Sequence, residues 1–476
     1  MLSEKRLFFT SGLIALITLL YLTFFTTGTA GGGDSVLHYL FAKYAFTHPE
    51  NYFSHWAKPF FTALSSPFTL LGFSGIKLFN TLCSCGAVWF SYQTLEVWQV
   101  KNRWAIVPIV FSSTLFVTVT QSGLTEPLSA LILTSAIYLL VKNNTITALS
   151  IISFMPFVRS EGLIILGVFA VYLIVKNRIK YLPLLLLGHV VYALVGYPFY
   201  HDILWIFTKI PYANQTSNYG SGNWNHFLIQ LNFQTNPAIY SLFWLGTIGF
   251  AFKVIKALKS SNQETGFIEK LWLVYGCFFA FFVAHTCFWA LGIFNSLGLT
   301  RVFVSVLPLL GMIAIDGLNL IDVSQLNKKY QKAASTLTYI IIAVVMVIPF
   351  TKGKYSYNLP GEFSLTPQQH SLKEVLLPYL NQHYPKAKLI FTDPNIPYML
   401  NIDPFNNSLC DWYYGIKSPS DLDSTSLLVV DKWFTKIEWG HPVEELLANP
   451  HLKLQIAFPK QDTTYYVFSK NSSEIK

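Results

Sequence analysis

GGGDSVLHYLFAKYAFTHPENYFSHWAKPFF, residues 31–61, is the stretch on which the interpretation of this chain depends. It directly follows a first apolar segment, and further apolar segments come after it. In a chain that is only 12% charged, it concentrates ionisable groups, namely Asp34, His38, Lys43, His48, Glu50, His55 and Lys58. Because an ionised group near hydrocarbon is energetically unfavourable, such a cluster needs a reason. The stretch therefore predicts a polar centre around Asp34, at the end of a membrane segment.

The composition is that of an integral membrane protein. The 476 residues are 52% hydrophobic and 12% charged, whereas a soluble chain carries about 25% charged residues. The net charge of +9 would suit a nucleic-acid partner, but the basic residues lie in short clusters between apolar runs. That distribution is typical of cytoplasmic loops. We therefore expect a membrane-embedded protein without a nucleic-acid partner.

Eleven apolar segments are predicted to cross the membrane: 7–27, 76–98, 104–120, 124–141, 146–158, 160–175, 181–199, 237–257, 269–293, 301–321 and 335–350. With the N-terminus in the cytoplasm, most loop lysines and arginines fall on the inner side, as the positive-inside rule expects. The C-terminus is then outside the cytoplasm. The absence of an organelle signal favours a bacterial inner membrane.

The chain divides by composition into two parts. Residues 1–350 are predicted to form an all-α polytopic membrane domain with outer loops at 28–75 and 200–236. Residues 351–476 have the composition of a soluble domain. An amphipathic helix in TPQQHSLKEVLLPYLNQHYP and strands in AKLIFTD, SLLVVD, LKLQIAF and TYYVFSK predict a small extracytoplasmic α/β domain there.

Two acids at the outer face are the predicted catalytic residues. Asp34 follows the glycines 31–33, which let a backbone turn sharply, and it begins a helix-like pattern. A carboxylate at a helix start is stabilised as an anion and accepts a proton readily. Glu126 begins another helix beside Thr125 and Pro127 on the same side. Helix capping is the alternative role for both acids.

Three further cations at this face are predicted to contact a phosphate-bearing lipid, and one further acid is predicted to orient the substrate. Arg159 would hold the phosphate, as guanidinium groups do well, and Glu161 would orient the substrate; a local ion pair is the alternative. Lys58 and Arg301 are outer-side cations at helix starts, where the headgroup of a lipid lies. Interfacial snorkelling is the alternative for both cations.

Two histidines complete the candidate set. His38 is expected to help orient the substrate and His55 to contact the phosphate or lipid, although either fits an ordinary interfacial histidine. The outer-side acids show no metal-ligand spacing such as HExxH or Asp-x-Asp. We therefore expect no cofactor, with a weakly bound divalent cation as the alternative.

The layout resembles the GT-C superfamily of polytopic glycosyltransferases, and within it the bacterial aminoarabinose-transferase and protein mannosyltransferase branch. The motifs that carry the resemblance, over residues 1–350, are Asp34, HWAKPFF at 55–61, TEPLSALIL at 125–133 and RSEG at 159–162. It implies transfer of a sugar from a polyprenyl-phosphate donor to a lipid, glycan or protein hydroxyl outside the cytoplasm. Asp34 would be the general base and Lys58 a phosphate or lipid contact. The family pattern has a second acid after the first, whereas Ser35 stands here.

Other classes of protein remain open on the sequence. A secondary transporter would predict related halves and charges near the bilayer midplane. An O-antigen-ligase-like enzyme would depend on arginines and a histidine in a large outer loop. A receptor or assembly scaffold would use the C-terminal domain to bind a partner.

Overall fold

The computed structural model describes residues 3–30, 32–211, 217–259, 266–321, 331–351, 359–413, 421–458 and 464–471. Gly31, the first residue of the decisive stretch, lies outside this part. So does a piece of the predicted outer loop 200–236.

Helices make up the part of the chain before residue 351. They are α1 (Glu4–Phe25), α2 (Gly33–Tyr44), α3 (Pro59–Ser65), α4 (Phe73–Val97), α5 (Ile106–Phe111), α6 (Thr114–Thr120), α7 (Glu126–Val141), α8 (Thr145–Ile152), α9 (Gly162–Val175), α10 (Leu187–Tyr200), α11 (Trp205–Thr208), α12 (His226–Thr235), α13 (Pro237–Leu258), α14 (Phe267–Glu269), α15 (Cys277–Leu291), α16 (Leu307–Ile321) and α17 (Gln331–Val347). Short 3₁₀ segments precede, follow or join them at Pro49–Phe53, Ser66–Leu71, Arg103–Ala105, Met155–Phe157, Ile179–Leu186, Thr300–Val306 and Ile348–Phe350. A π segment, Lys270–Gly276, joins α14 to α15.

Fewer helices than expected are long enough to cross a membrane. Among the described residues, five have the length and hydropathy: Glu4–Phe25, Ile179–Tyr200, Pro237–Leu258, Phe267–Leu291 and Thr300–Ile321. A sixth span results if the pair Arg103–Phe111 and Thr114–Thr120, bent by 74°, counts as one. Each of the eleven predicted segments does contain helix, but several are too short, so the count of eleven is not confirmed. Helices of this length and hydropathy indicate an integral membrane protein.

Helices α13 and α16 pack at unusually close range. A Cβ atom at Gly317 would lie 2.0 Å from the carbonyl oxygen of Leu242, and one at Gly246 would lie 2.0 Å from that of Ile313. The two glycines thus let backbone contact backbone, as small residues do in membrane helix pairs. This crossing matters for the site because α16 continues directly from the segment that carries Arg301.

We expect Gly317→Ala to destabilise the protein by about 1–3 kcal/mol, because the added methyl overlaps a backbone carbonyl that cannot retreat. Thermal unfolding of the purified protein in detergent measures the effect. Gly167→Ala in α9 is the matched control, since its added Cβ meets no atom within 4 Å. Equal melting temperatures for the two variants would show that the close crossing is wrong.

The C-terminal region contains a five-stranded sheet. Its strands are β1 (Lys388–Phe391), β2 (Cys410–Trp412), β3 (Ser426–Asp431), β4 (Leu452–Phe458) and β5 (Tyr465–Lys470), in the order β2-β1-β3-β5-β4. Strand β1 is parallel to β2 and β3, whereas β5 is antiparallel to β3 and β4. The helices are α18 (Leu359–Glu362), α19 (Pro367–Ser371), α20 (Leu377–His383), α21 (Asn395–Leu400), α22 (Lys432–Ile437) and α23 (Val443–Leu447), with a π segment at Leu372–Leu376. The four strands expected from the sequence are present, and β2 is additional.

This C-terminal region lies against the stretch that carries Asp34. The Nζ atom of Lys43, in the last turn of α2, donates to Asn401 Oδ1 at 2.7 Å. The Nε2 atom of His48 lies 2.9 Å from Asp403 Oδ2. The C-terminal region is therefore held against the helical part of the chain rather than apart from it.

Candidate active site

Asp34 is paired with a cation from a distant part of the chain. It lies in the first turn of α2, after Gly32, whose φ of +63° favours glycine. Its carboxylate forms an ion pair with the guanidinium of Arg301, 267 residues away in the sequence. The Asp34 side chain keeps 38% of its surface exposed, so a substrate can reach it.

Glu126 lies at the centre of a row of alternating charges. It is fully buried at the start of α7, and its Oε1 atom lies 2.6 Å from Arg159 Nη1 and 3.8 Å from Arg301 Nε. Arg159 Nη2 also lies 2.8 Å from Glu161 Oε1. We call the row Glu161–Arg159–Glu126–Arg301–Asp34 the ionic chain. Buried charges persist only when they are compensated, and here each one faces the opposite sign.

Ser35 explains why the second acid of the GT-C pattern has no place in this chain. The residue is fully buried, and its Oγ atom donates to the Thr29 carbonyl oxygen at 2.6 Å. The same Oγ atom accepts from the Gly123 amide at 2.8 Å. An ionised carboxylate has no proton to donate, so it could not replace this hydroxyl. Gly123 is equally constrained, since a Cβ there would lie 2.1 Å from the Ser35 carbonyl oxygen.

Lys58 supplies a further cation, and the described part of the chain places no direct partner beside it. Within the described ranges, its ammonium group forms no hydrogen bond and no ion pair within 4.0 Å. Burial lowers the pKa of Lys58, and the nearby carboxylates of Glu161 and Asp34 partly oppose this effect. Its backbone is left-handed, with φ +61°, which is uncommon for a residue other than glycine. An unfavourable conformation at a charged residue is often found at functional sites.

The surrounding charges keep the accessible acids ionised. Burial opposes ionisation of Asp34, but Arg301, His38 and Lys58 hold its pKa below the usual value. Burial likewise acts against ionisation of Glu161, but Arg159, His285 and Lys58 together outweigh it, so that the pKa of Glu161 falls to about 2. Asp34 is therefore an anion at neutral pH, which is the form that accepts a proton.

The two predicted histidines have different surroundings. Burial lowers the pKa of His38 to about 3 despite the nearby Asp34, and its Nδ1 atom has no hydrogen-bond partner in the described part of the chain. Burial also lowers the pKa of His55 to about 4. His55 packs against Phe157 and Trp205 instead of joining the ionic chain. It borders a cavity of about 330 Å³ that is also lined by Ser54, Trp56, Tyr200, Lys209 and Pro211.

Sequence reasoning missed a contact between Tyr219 and the C-terminal region. The Tyr219 hydroxyl donates a hydrogen bond to the carboxylate of Glu438. Burial and the Glu438 carboxylate raise the pKa of Tyr219, and the charges of Asp34 and Arg301 add smaller effects of opposite sign. No local motif marks either residue, because the pair forms only through the fold.

The described residues include no group of three histidine, cysteine or acidic side chains placed to hold a metal ion. A mechanism without a tightly bound metal stays a prediction.

We expect Glu126→Gln to lower the free energy of unfolding by about 3–5 kcal/mol, because it removes the fully buried charge that compensates two partly buried guanidiniums. Thermal unfolding in detergent measures this effect. Glu374→Gln is the control, because that side chain is 71% exposed. An unchanged melting temperature for Glu126→Gln would contradict the central position of this carboxylate.

Three solved structures, of two different glycosyltransferases, share this fold. ArnT from Cupriavidus metallidurans bound to undecaprenyl phosphate matches with a TM-score of 0.60 and 13% identity over 98% of each chain. The same protein in the apo state matches with a TM-score of 0.61 and 11% identity, again over 98% of each chain. The oligosaccharyltransferase of Archaeoglobus fulgidus, tethered to an acceptor peptide, matches with a TM-score of 0.51 and 11% identity over 98% of this chain and 74% of that one.

No protein-family model and no curated protein sequence matches this chain. At identities this low, the structural likeness shows the fold alone. That fold is the one found in GT-C glycosyltransferases, so the resemblance to this superfamily is confirmed at the level of the fold.

Proposed function

We propose that this protein is a membrane glycosyltransferase that moves a sugar from a polyprenyl-phosphate donor to a hydroxyl group of an acceptor outside the cytoplasm. The observation that carries the proposal is the ionic chain, which ends on the ionised and partly exposed Asp34. The fold supports it, because one structural neighbour binds undecaprenyl phosphate and another holds an acceptor peptide.

Asp34 is the proposed general base. Its carboxylate takes the proton from the acceptor hydroxyl while that oxygen forms a bond to the anomeric carbon. The bond between this carbon and the donor phosphate breaks, and the phosphate leaves with the electron pair. Because the nucleophile attacks opposite the leaving group, the configuration at the anomeric carbon inverts.

The cations compensate the charge that grows on the leaving phosphate. Lys58 has no partner within the described ranges, so it can contact an anion without breaking an existing ion pair. Arg301 and Arg159 present guanidinium groups that suit phosphate oxygens. Charge compensation that strengthens in the transition state is what accelerates such a reaction.

Glu126 receives a narrower role than the sequence suggested. Its buried carboxylate lies between Arg159 and Arg301, and it has no exposed surface on which to meet an acceptor. We assign it to positioning the two guanidiniums. Glu161 orients Arg159 in the same way, and the neutral His38 is left to hydrogen-bond the sugar or the acceptor. His55 borders the neighbouring cavity, where it would contact the lipid portion of the donor.

The proposal extends to the location of the protein. Short basic clusters between the apolar helices would face the cytoplasm of a bacterial inner membrane. The ionic chain and the C-terminal region would then face the opposite side.

Asp34→Asn is expected to lower the rate of sugar transfer by about 10²–10⁴-fold, because an amide cannot take the proton. The measurement uses purified protein in lipid nanodiscs with sugar-charged polyprenyl phosphates extracted from a strain that lacks the protein. Undecaprenyl phosphate should still bind, since the variant removes a negative charge near the proposed phosphate site.

Asp202→Asn is the matched control for this test. Asp202 lies in the outer loop, where it caps the turn of α11 by accepting from the Leu204 amide, and an asparagine oxygen accepts equally well. It should transfer sugar at the unmodified rate. Full transfer by Asp34→Asn would overturn the assignment of the base.

Arg301→Gln is expected to move the acidic limb of the kcat profile to higher pH. Arg301 holds the pKa of Asp34 down, so its removal raises that pKa. Asp34 then protonates, and ceases to be a base, at a higher pH than in the unmodified protein. A kcat profile at saturating donor measures the shift, and an unchanged limb would contradict the coupling between the two residues.

A further inference from the structure

A buried glutamine joins the C-terminal region to the segment that leads into Asp34. Gln369 is fully buried in α19. Its Nε2 atom donates to Thr29 Oγ1 at 3.0 Å and to Asn395 Oδ1 at 2.9 Å. Its Oε1 atom accepts from the Thr366 amide at 3.0 Å. Both donors and the acceptor of this amide are therefore used, which fixes its orientation.

From Thr29 the hydrogen bonds continue towards both acids of the site. The Thr29 carbonyl accepts from Ser35 Oγ, and Ser35 Oγ accepts from the Gly123 amide. Ser35 is the residue after Asp34, and Gly123 lies three residues before Glu126. Thr29 is thus held by Gln369, and Ser35 is held by Thr29 and by the loop that precedes α7.

In the opposite direction the hydrogen bonds end in the sheet. Asn395 Nδ2 donates to Asp393 Oδ1 at 2.8 Å, and the other oxygen of Asp393 accepts from the Tyr465 hydroxyl at 2.5 Å. Asp393 follows β1 and Tyr465 begins β5. These hydrogen bonds therefore attach Gln369 to the five-stranded sheet. We call the series Tyr465, Asp393, Asn395, Gln369, Thr29, Ser35 and Gly123 the hydrogen-bond path.

Packing strengthens the same contact. A Cβ at Gly33 would lie 2.9 Å from the ring of Phe434. The Gly28 amide donates to the Phe363 carbonyl oxygen at 3.0 Å. The C-terminal region thus contacts the chain before Asp34 at two points, Gly28 and Gly33.

We propose that Gln369 is a positioning residue for Asp34, acting through Thr29. The C-terminal region is then part of the apparatus that aligns the base, and not a separate lid. A glycine-rich segment has many conformations of similar energy, so the orientation of Asp34 has to be imposed by its neighbours. Fully satisfied buried polar networks impose a single arrangement in this way. This inference rests on the proposed transferase function.

Gln369→Leu tests the inference directly. It keeps the approximate volume of the side chain and removes the hydrogen bonds to Thr29 and Asn395, together with the one that Gln369 accepts from the Thr366 amide. Misplacement of the base by about 1 Å should lower kcat by about 100-fold, with KM for the sugar-charged polyprenyl phosphate changed by less than about twofold. Gln368→Leu on the same helix is the control, and it should match the unmodified enzyme.

Thr29→Val provides a second variant in case Gln369→Leu fails to fold. It removes the hydroxyl that Gln369 contacts and keeps the shape of the side chain. If Gln369 acts through Thr29, Thr29→Val alone should lower kcat by about 100-fold with KM nearly unchanged. Where both variants fold, the double variant should lose no more activity than the more severe single variant. Losses that multiply would show independent effects and would overturn the proposed route.

Hydrogen–deuterium exchange separates failure of this inference from failure of the proposed function. Gln369→Leu should speed exchange of the amides in residues 29–36, and Gln368→Leu should not. If the unmodified protein transfers no sugar but exchange responds in this way, the function is wrong and the positioning stands. If the unmodified protein is active and Gln369→Leu equals it in kcat and exchange, the positioning role is wrong.

Discussion

The compensation of charge around Glu126 is the constraint on which the rest of the site depends. A carboxylate with no exposed surface needs cations at contact distance, and Arg159 and Arg301 provide them. Their remaining hydrogen-bonding capacity then holds Glu161 on one side and Asp34 on the other. One buried acid thereby determines where two guanidiniums and two further carboxylates can lie.

The architecture supplies what this arrangement needs. Closely packed helices, such as α13 and α16 at Gly246 and Gly317, give a rigid base from which the segment carrying Arg301 extends. The C-terminal region contacts the segment before Asp34 on the other side, through Gln369. The site is therefore formed between the helical part of the chain and its C-terminal region.

Local sequence patterns predicted most helices and the region of the site. The features that they did not predict depend on helix length or on contacts between distant residues. Apolar periodicity located the helices, and the unusual sidedness of Asp34, Lys58 and Arg301 pointed to the region of the site. The count of eleven spans is not confirmed, because apolar composition does not reveal helix length, as the 74° bend after Phe111 illustrates. Strand β2 has three residues, too few for an alternating pattern. Gln369 reads in sequence only as a capping residue of its own helix, although its other contact lies 340 residues away.

Lipid mass spectrometry of cells that lack the protein tests the central claim most directly. A sugar-charged polyprenyl phosphate should accumulate, since its consumer is missing, and the unmodified gene should return it to the normal level while Asp34→Asn does not. An unchanged pool of polyprenyl-linked sugars in the deleted strain would contradict the transferase account.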